Sequence, residues 1–107
     1  MIRVEEYITE DGLNPFADWF EDLNAQAAAK VNTYLTRLGQ GNISSLKPIK
    51  GAFQELVIDW GPGYRVYVGK DGERLIILLG GGTKKGQQRD IYMAAEYWEE
   101  YKVRRKE

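Results

Sequence analysis

The sequence predicts an α+β fold in which helices cover one face of a mostly antiparallel four-stranded sheet. Two stretches with helical spacing of apolar residues come first after an N-terminal strand, and three strand-like runs follow them. Another amphipathic stretch comes last. The length of 107 residues suits a single domain over residues 1–107. We therefore expect the order β-α-α-β-β-β-α, with the uncovered face of the sheet available for binding.

The N-terminal half is predicted to be a strand and a helical hairpin. Ile2 to Ile8 mixes β-branched and aromatic residues with charges, as an edge or parallel strand does. Asn14 can cap a first helix, because proline follows it at the first helical position, and Asn24 can cap a second. The apolar stripes are Leu13, Phe16, Trp19, Phe20 and Leu23 in the first helix, and Ala27, Ala28, Val31, Tyr34, Leu35 and Leu38 in the second.

The middle of the chain is predicted to be a loop followed by an antiparallel meander. Residues 40–52 contain glycine, serine and proline without a sustained period, which indicates an irregular loop. Residues 53–60 and 64–69 alternate between apolar and polar positions, and residues 75–79 are apolar on both faces, as in a central strand. The alternation places Val66 and Val68 inward and Arg65 and Tyr67 outward.

The last element is predicted to be an amphipathic helix. Gly80 to Gly82 is expected to end the central strand. Tyr92 sits beside the apolar stripe of the helix and can face the sheet. That stripe consists of Ile91, Ala94, Ala95, Trp98 and Tyr101.

The composition excludes several classes of chemistry. The chain has no cysteine, so disulfides and thiolate nucleophiles are absent, and it has no histidine, the commonest metal ligand and neutral-pH base. Zinc sites and Ser-His or Cys-His nucleophiles are excluded, and we expect no metal and no cofactor. No stretch reaches the length of a membrane span and the first residues lack the layout of a signal peptide. We expect a cytoplasmic protein that does not contact membranes.

The net charge of −1 hides a segregated distribution. Residues 1–24 contain one positive and seven negative side chains, whereas residues 25–89 contain ten positive and four negative ones. A basic central segment is compatible with one face that meets phosphate. Two ordinary solvated faces explain the same pattern equally well.

The glycine-rich segment around Gly82 does not match a nucleotide-binding loop. A Walker loop requires G-x-x-x-x-G-K-[ST], but Gly86 is followed by two glutamines, and a dinucleotide fingerprint requires a glycine where Lys85 stands. Glu55 and Asp59 are interpreted as a solvated strand face rather than a pair of catalytic carboxylates.

Cations on separate elements remain as the candidates for chemistry. They are Lys47 and Lys50 in the loop, Arg65 on a strand, and Lys84 and Lys85 after the central strand. RNA supplies its own nucleophile, the 2′-hydroxyl, so cleavage requires only a proton acceptor, a proton donor and cations for the charge on phosphorus. This chemistry requires neither histidine nor metal.

Nearly the whole chain, and most specifically its second half, resembles the RelE/ParE toxin superfamily, in particular the HigB-related branch of addiction-module killer proteins. The resemblance depends on four motifs. They are the glycine-tyrosine-arginine strand (Gly63 to Arg65), the glycine-threonine-lysine-lysine element (Gly82 to Lys85), the helix start with Asp90, Ile91 and Ala94, and the N-P-F-x-x-W run (Asn14 to Trp19).

The resemblance implies a RelE-like fold and the toxin of a type II toxin–antitoxin system. Such a toxin is a metal-independent endoribonuclease that cuts mRNA in the ribosomal A site and inhibits translation. A cognate antitoxin, often a HigA-like helix-turn-helix protein, silences it in a hetero-oligomer. By this likeness Arg65 contacts the scissile phosphate, Lys84 or Lys85 steadies the transition state or the leaving oxygen, and Tyr92 transfers a proton. Further RNA contacts are expected from Lys47, from Tyr67 and from Lys50, the last as a phosphate clamp or a base.

Two other functions are compatible with the same fold. One is a non-enzymatic inhibitor of DNA gyrase, as in ParE-like relatives. The other is a decayed, phage-derived member that only binds its partner. Relatives usually have an arginine after the glutamate and leucine of the strand before the turn, whereas Glu55 and Leu56 are followed here by Val57. The loss of that cation favours weakened or absent cleavage.

Overall fold

The computed structural model describes residues 1–106 and has a five-stranded mixed sheet with helices on both faces. The sheet order is β1-β5-β4-β3-β2, with β1 parallel to β5 at one edge and every other pair antiparallel. The α+β class is confirmed. In chain order the elements are β1 (Arg3–Glu6), α1 (Pro15–Glu21), α2 (Ala25–Gly39), β2 (Leu46–Ile49), β3 (Phe53–Ile58), β4 (Tyr64–Lys70), β5 (Leu75–Thr83) and α3 (Gln87–Arg105).

Strand β2 lies in the segment that the sequence analysis assigned to an irregular loop, so the prediction of four strands is wrong. Leu46 pairs with Leu56 and Ile49 with Phe53 in an antiparallel ladder. A tight turn connects the two strands, and in it the Ala52 N–H donates to the Ile49 carbonyl at 3.0 Å. A proline within a segment is unfavourable for a central strand, because its backbone has no N–H to donate. Strand β2 is an edge strand, where the missing N–H of Pro48 is tolerated.

The helices cover both faces of the sheet, so the prediction that one face stays available is wrong. The physical reason is visible in β5, whose apolar residues on both sides require cover on both sides. The core under α1 and α2 contains Phe16, Ala27, Val31, Leu38, Leu56, Ile58, Tyr64, Val66, Val68, Ile76 and Leu78. The core under α3 contains Tyr7, Ile49, Phe53, Tyr67, Ile77, Leu79, Ala94 and Trp98.

The predicted helix starts are confirmed by their capping hydrogen bonds. The Asn14 side chain accepts from the Ala17 N–H at 3.0 Å, and the Asn24 side chain accepts from the Ala27 N–H at 2.9 Å. Each bond satisfies one of the N–H groups that a helix leaves without a partner in its first turn. No helix in residues 1–106 combines the length and apolar character needed to cross a membrane.

The glycines at the end of β5 continue the strand rather than break it, contrary to the prediction. Gly81 pairs with Val66 and Gly82 with Arg65, after a bulge near Tyr67. A side chain at position 81 would collide with the ring of Trp19 on α1. The glycines therefore let helices approach the backbone of the sheet.

Gly69 of β4 provides the first test, because an added Cβ would lie inside the ring of Trp98 on α3. We expect Gly69→Ala to lower the free energy of unfolding by about 1–3 kcal/mol, the usual cost of overpacking a core. The measurement is chemical denaturation of the purified protein.

Gly39→Ala is the matched control. Its added Cβ would meet only the Ile2 carbonyl oxygen at 3.7 Å, an ordinary contact, at the last residue of α2. Alanine favours helix relative to glycine, so this variant should be as stable as the parent protein or slightly more stable. Equal stability of both variants would contradict the close packing of Trp98 on β4.

Candidate functional site

Arg65 lies on the face of the sheet that α3 covers. It pairs with Val57 of β3 on one side and with Gly82 of β5 on the other. Its neighbour Val66 points into the core beneath α1 and α2, so alternation sends the Arg65 side chain to the opposite face. The predicted direction of Arg65, away from Val66 and Val68, is confirmed, but the side chain is largely buried rather than open to solvent.

Glu55 holds the guanidinium of Arg65 in a largely buried ion pair. The Arg65 Nε lies 3.1 Å from the Glu55 Oε1, and the two side chains are 15% and 14% exposed. The Nε N–H is not directed at the carboxylate oxygen, so the contact is an ion pair without a hydrogen bond. Nη1 donates to the Tyr64 carbonyl at 3.4 Å. Within residues 1–106, Nη2 makes no hydrogen bond and it is not sealed from solvent, so it remains available to an incoming anion.

The first turn of α3 packs over this pair. The Gln87 Nε2 donates to the same Glu55 Oε1 at 3.2 Å. In the same turn of the helix, the Asp90 carboxyl occupies the space where a side chain at position 82 would lie. Position 82 of β5 therefore requires glycine. Burial raises the pKa of the Asp90 carboxyl, and the nearby Arg89 opposes the rise. The guanidinium of Arg65 is therefore paired with one carboxylate, Glu55, and lies under the first turn of α3.

Tyr67 is buried rather than outward, so the prediction that it faces solvent to contact RNA is wrong. Its side chain belongs to the core beneath α3 and is 0% exposed. The physical reason is that α3 covers the face that the sequence analysis left open. Its hydroxyl has no hydrogen-bond partner within residues 1–106. Burial, reinforced by the carboxylates of Asp90 and Glu55, raises the pKa of Tyr67 above its ordinary value.

The start of the Lys84 side chain lies near the Arg65 guanidinium, at the turn before β4. A side-chain carbon at Gly63 would lie 3.7 Å from the Arg65 Nη1 and 3.9 Å from the Lys84 Cβ. The Lys84 N–H also donates to the Gly63 carbonyl at 3.0 Å, which fixes the backbone. Lys85 follows as an exposed residue whose carbonyl accepts from the Thr83 hydroxyl at 3.0 Å.

Lys47 lies at the edge of the same face. It is exposed and pairs with Glu55 across β2 and β3, which places it on the side of the sheet that carries Arg65. The structure thus places Lys47 and Arg65 on the same face as Glu55, which pairs with Lys47 across the strands and with Arg65 through their side chains.

Lys50 and Tyr92 lie together in a separate groove. The groove runs between α3 and the turn from β2 to β3, and its volume is about 540 Å³. Tyr92 is 62% exposed, so the prediction that it faces the sheet is wrong. The helix turns Ile91, Ala94 and Trp98 toward the sheet instead, and Tyr92 follows on the outer side.

Sequence reasoning missed the carboxylates and amide of the site. Glu55 was interpreted as part of a solvated strand, yet alternation from the buried Phe53 already places it on the α3 face. Gln87 and Asp90 carried no chemical signal of their own in the sequence. Gly82 gave an indirect signal for Asp90, because a glycine in a strand often marks a place where another group closely approaches the backbone.

The buried hydroxyl of Tyr67 gives a test of this geometry. Removing an unpartnered buried polar group should leave stability unchanged or raise it by about 1 kcal/mol, so we expect Tyr67→Phe to be as stable as the parent protein or more stable at neutral pH. The pKa of Tyr67 is raised in the folded state, so the neutral hydroxyl favours the folded protein. This contribution to the free energy of unfolding is fully present below the ordinary pKa of 10.0 and is lost as the pH rises above that value. Tyr67→Phe should therefore lose stability less steeply above pH 10 than the parent protein in denaturation experiments.

Tyr101→Phe is the contrasting variant. The Tyr101 hydroxyl donates to the Asp71 carboxylate at 2.6 Å, so its removal should destabilise the protein at neutral pH. A Tyr67→Phe variant that is destabilised as much as Tyr101→Phe would contradict the absence of a partner for the Tyr67 hydroxyl.

Comparison with known proteins places the chain in a family. No family model matches the sequence. A protein of Haemophilus influenzae described as "Uncharacterized protein" is 42% identical over 80 residues, which are 74% of this chain and 81% of that protein. The chain therefore belongs to the same family as this Haemophilus influenzae protein.

Proposed function

We propose that this chain is the toxin of a type II toxin–antitoxin system, with a RelE-like fold of the HigB-related kind, and that it cleaves mRNA in the cytoplasm. The observation that carries the proposal is that the Arg65 Nη1 and the Cβ of the exposed Lys84 both lie within 4 Å of the position that a Gly63 side chain would take. A guanidinium and a lysine that starts beside it are suited to one phosphodiester, because the guanidinium can direct a fork of donors at two phosphate oxygens while the ammonium neutralises charge.

The proposed reaction uses the nucleophile of the RNA itself. The 2′-oxygen attacks phosphorus and loses its proton, and the bond from phosphorus to the 5′-oxygen breaks, which leaves a 2′,3′-cyclic phosphate and a 5′-hydroxyl. Glu55 accepts the proton of the 2′-hydroxyl, because it is the carboxylate beside Arg65. The Arg65 guanidinium stabilises the charge on phosphorus, and Lys84 or Lys85 donates a proton to the leaving oxygen. Lys50 and Tyr92 line the separate groove, so this scheme gives them no part in proton transfer.

The partners in this proposal are mRNA on the ribosome and a cognate antitoxin. A HigA-like helix-turn-helix antitoxin forms a hetero-oligomer with the toxin. Among residues 1–106, the two edge strands, β1 and β2, each have one side without a neighbouring strand, and an extended segment of an antitoxin can pair with such an edge.

One feature favours a second candidate function, a protein that binds without cutting. Val57 stands directly beside Arg65 where relatives usually have an arginine, and Glu55 neutralises much of the remaining guanidinium charge. A protein that inhibits DNA gyrase, or that only binds its partner, does not need to cleave a phosphodiester at Arg65.

Lys84→Ala tests the nuclease, because Lys84 is exposed and its loss should not disturb folding. The measurement is mapping of mRNA 5′ ends after incubation of purified protein with translating ribosomes. By analogy with the loss of one oxyanion-hole donor, we expect Lys84→Ala or Arg65→Ala to lower the cleavage rate on the order of 10²–10³-fold. Cells that express either variant without an antitoxin should grow.

Lys30→Ala is the matched control, since Lys30 is an exposed lysine on α2, on the other face of the sheet. It should cut as fast as the parent protein. Undiminished cleavage by both Lys84→Ala and Arg65→Ala would refute the assigned site. Absence of any cuts, with loss of gyrase supercoiling activity instead, would support the gyrase inhibitor.

A further inference from the structure

The two ends of α3 are held on the sheet to different extents. The C-terminal half of the helix donates side-chain hydrogen bonds to the loops around it, from Trp98 to Ala52, from Tyr101 and Arg105 to Asp71, and from Arg104 to Ile8. Within residues 1–106, the first turn donates one such bond, from the Gln87 Nε2 to the Glu55 Oε1 at 3.2 Å. The helix is therefore anchored at its C-terminal end and lightly held over Arg65 and Glu55.

The backbone of the first turn is also weakly stabilised. Gly86 precedes it with φ of 82° and has no side chain that can cap the free N–H groups of the helix. The Asp90 N–H donates to the Gly86 carbonyl at 3.3 Å, whereas such hydrogen bonds usually measure about 2.9–3.0 Å. An uncapped turn with a long hydrogen bond at its start unwinds at a lower cost in free energy than the middle of a helix does.

The closed position of this turn leaves polar groups without partners. The Arg65 Nε and the Tyr67 hydroxyl are buried, and neither has a hydrogen-bond partner within residues 1–106. The Asp90 carboxyl fills the space above Gly82, and burial raises the pKa of this carboxyl. Buried donors without acceptors and a carboxyl withdrawn from water both disfavour the closed position, because water would satisfy these groups in an open one.

We propose that the first turn of α3, residues 87–90, is an autoinhibitory lid that unwinds to admit a phosphodiester to Arg65 and Glu55. The inference rests on the proposed function and adds the regulation of the same site. In the closed position, the Glu55 Oε1 accepts from Gln87 and pairs with the Arg65 Nε, so the oxygen that would take the proton of the 2′-hydroxyl is already occupied. The closed protein is therefore held back by its own helix.

Unwinding of the lid frees the edge of the guanidinium that fits phosphate. The Nε and one Nη of an arginine form a pair of parallel donors, which match two oxygens of one phosphate. In the closed position an anion can reach the Arg65 Nη2, but the Nε is buried beside Glu55. A phosphate that arrives as Gln87 withdraws supplies the acceptor that the Nε lacks and leaves Glu55 free to take a proton. RNA therefore favours the open position over the closed one.

Two adjacent glutamines provide a matched test of the lid. Gln87→Ala removes the hydrogen bond to Glu55, whereas Gln88→Ala removes an exposed glutamine that makes no side-chain hydrogen bond within residues 1–106. Both variants replace glutamine by alanine in the same turn, so their effects on helix propensity are alike. The measurement is amide hydrogen exchange of the purified protein, followed residue by residue by NMR.

We expect the Asp90 and Ile91 amides, which unwinding of the first turn releases, to exchange about 5- to 10-fold faster in Gln87→Ala than in Gln88→Ala. This is the factor expected for the loss of one side-chain hydrogen bond from the closed position. The amides around Trp98 should exchange equally in both variants. On translating ribosomes, Gln87→Ala should also cut mRNA faster than Gln88→Ala does. Slower cutting would mean that Gln87 supports the site, and the lid would be wrong.

A disulfide between positions 82 and 90 tests the link to cleavage. A Cβ at position 82 would lie 2.9 Å from the Asp90 Cγ, close to the separation of about 3 Å between a Cβ and the far sulfur that the S–S bond length sets. Gly82 does not have positive φ, so a cysteine fits there once Asp90 is also replaced. The chain has no cysteine of its own, so the double variant Gly82→Cys with Asp90→Cys forms one defined bond on oxidation.

The oxidised double variant holds the first turn on β5. We expect it to cut mRNA more slowly than its reduced form on the order of 10²–10³-fold, as for the loss of the Arg65 guanidinium, and reductant should restore cutting. Exchange of the Ile91 amide should slow on oxidation. Asp90→Cys alone is the control, and it should cut equally fast with and without reductant.

Three results would overturn the lid. They are equal exchange of the Asp90 and Ile91 amides in the two glutamine variants, failure of the paired thiols at positions 82 and 90 to form a disulfide, and equally fast cleavage by the oxidised and reduced double variant. In the last case the nuclease stands, because the closed protein cuts. If the disulfide slows exchange but neither the parent protein nor any variant cuts mRNA on ribosomes, the nuclease falls and the moving turn stands.

Discussion

The close approach of both helical layers to the sheet at glycine positions is the constraint on which the structure depends. Trp98 of α3 rests on Gly69, and Trp19 of α1 rests on Gly81 from the opposite face. An indole ring is large and buries much apolar area, but it reaches the backbone of a sheet only where the facing residue has no side chain. These two contacts fix how α1 and α3 lie on the central strands. Gly82, the residue after Gly81 on β5, likewise leaves space for the Asp90 carboxyl of α3. This contact brings the first turn of α3 over Arg65.

The position of α3 determines the character of the candidate site. Without that helix, Arg65 and Glu55 would form an exposed pair on a sheet face, and exposed pairs contribute little to stability. Under the helix, both side chains lose most of their contact with water, and an unpaired charge there would be costly. The pair therefore holds each partner in place. Its lack of a direct hydrogen bond leaves the buried Nε of Arg65 without an acceptor, so the attraction between the two side chains comes from their charges.

Local signals predicted the elements well. Capping asparagines before helical stripes located α1 and α2, and alternation located β3 and β4, because these patterns reflect contacts within one element or one face. The edge strand β2 was missed because its four residues include Pro48 and are too few to establish alternation.

The second helical layer was missed for a different reason. Which face a helix covers depends on the path of the chain after β5, and the glycines there were interpreted as a strand end rather than as space for Trp19 and Asp90. The errors at the site follow from this. Tyr67 was expected to face solvent because α3 was not expected to cover its face of the sheet. The start of the Lys84 side chain does lie near the Arg65 guanidinium, whereas the convergence of the two charges on one phosphate stays a prediction.

The segregation of charge along the sequence has a spatial counterpart in the sheet. Glu5 and Glu6 lie on β1 at one edge, and Lys47 lies on β2 at the other. Four strand spacings separate the edges, a distance of about 19 Å at roughly 4.8 Å per strand. This exceeds the Debye length of about 8 Å at physiological ionic strength, so the acidic edge is largely screened from the basic one. A polyanion near Lys47 and Lys50 therefore responds to the local charges, and the net charge of −1 does not oppose its binding there.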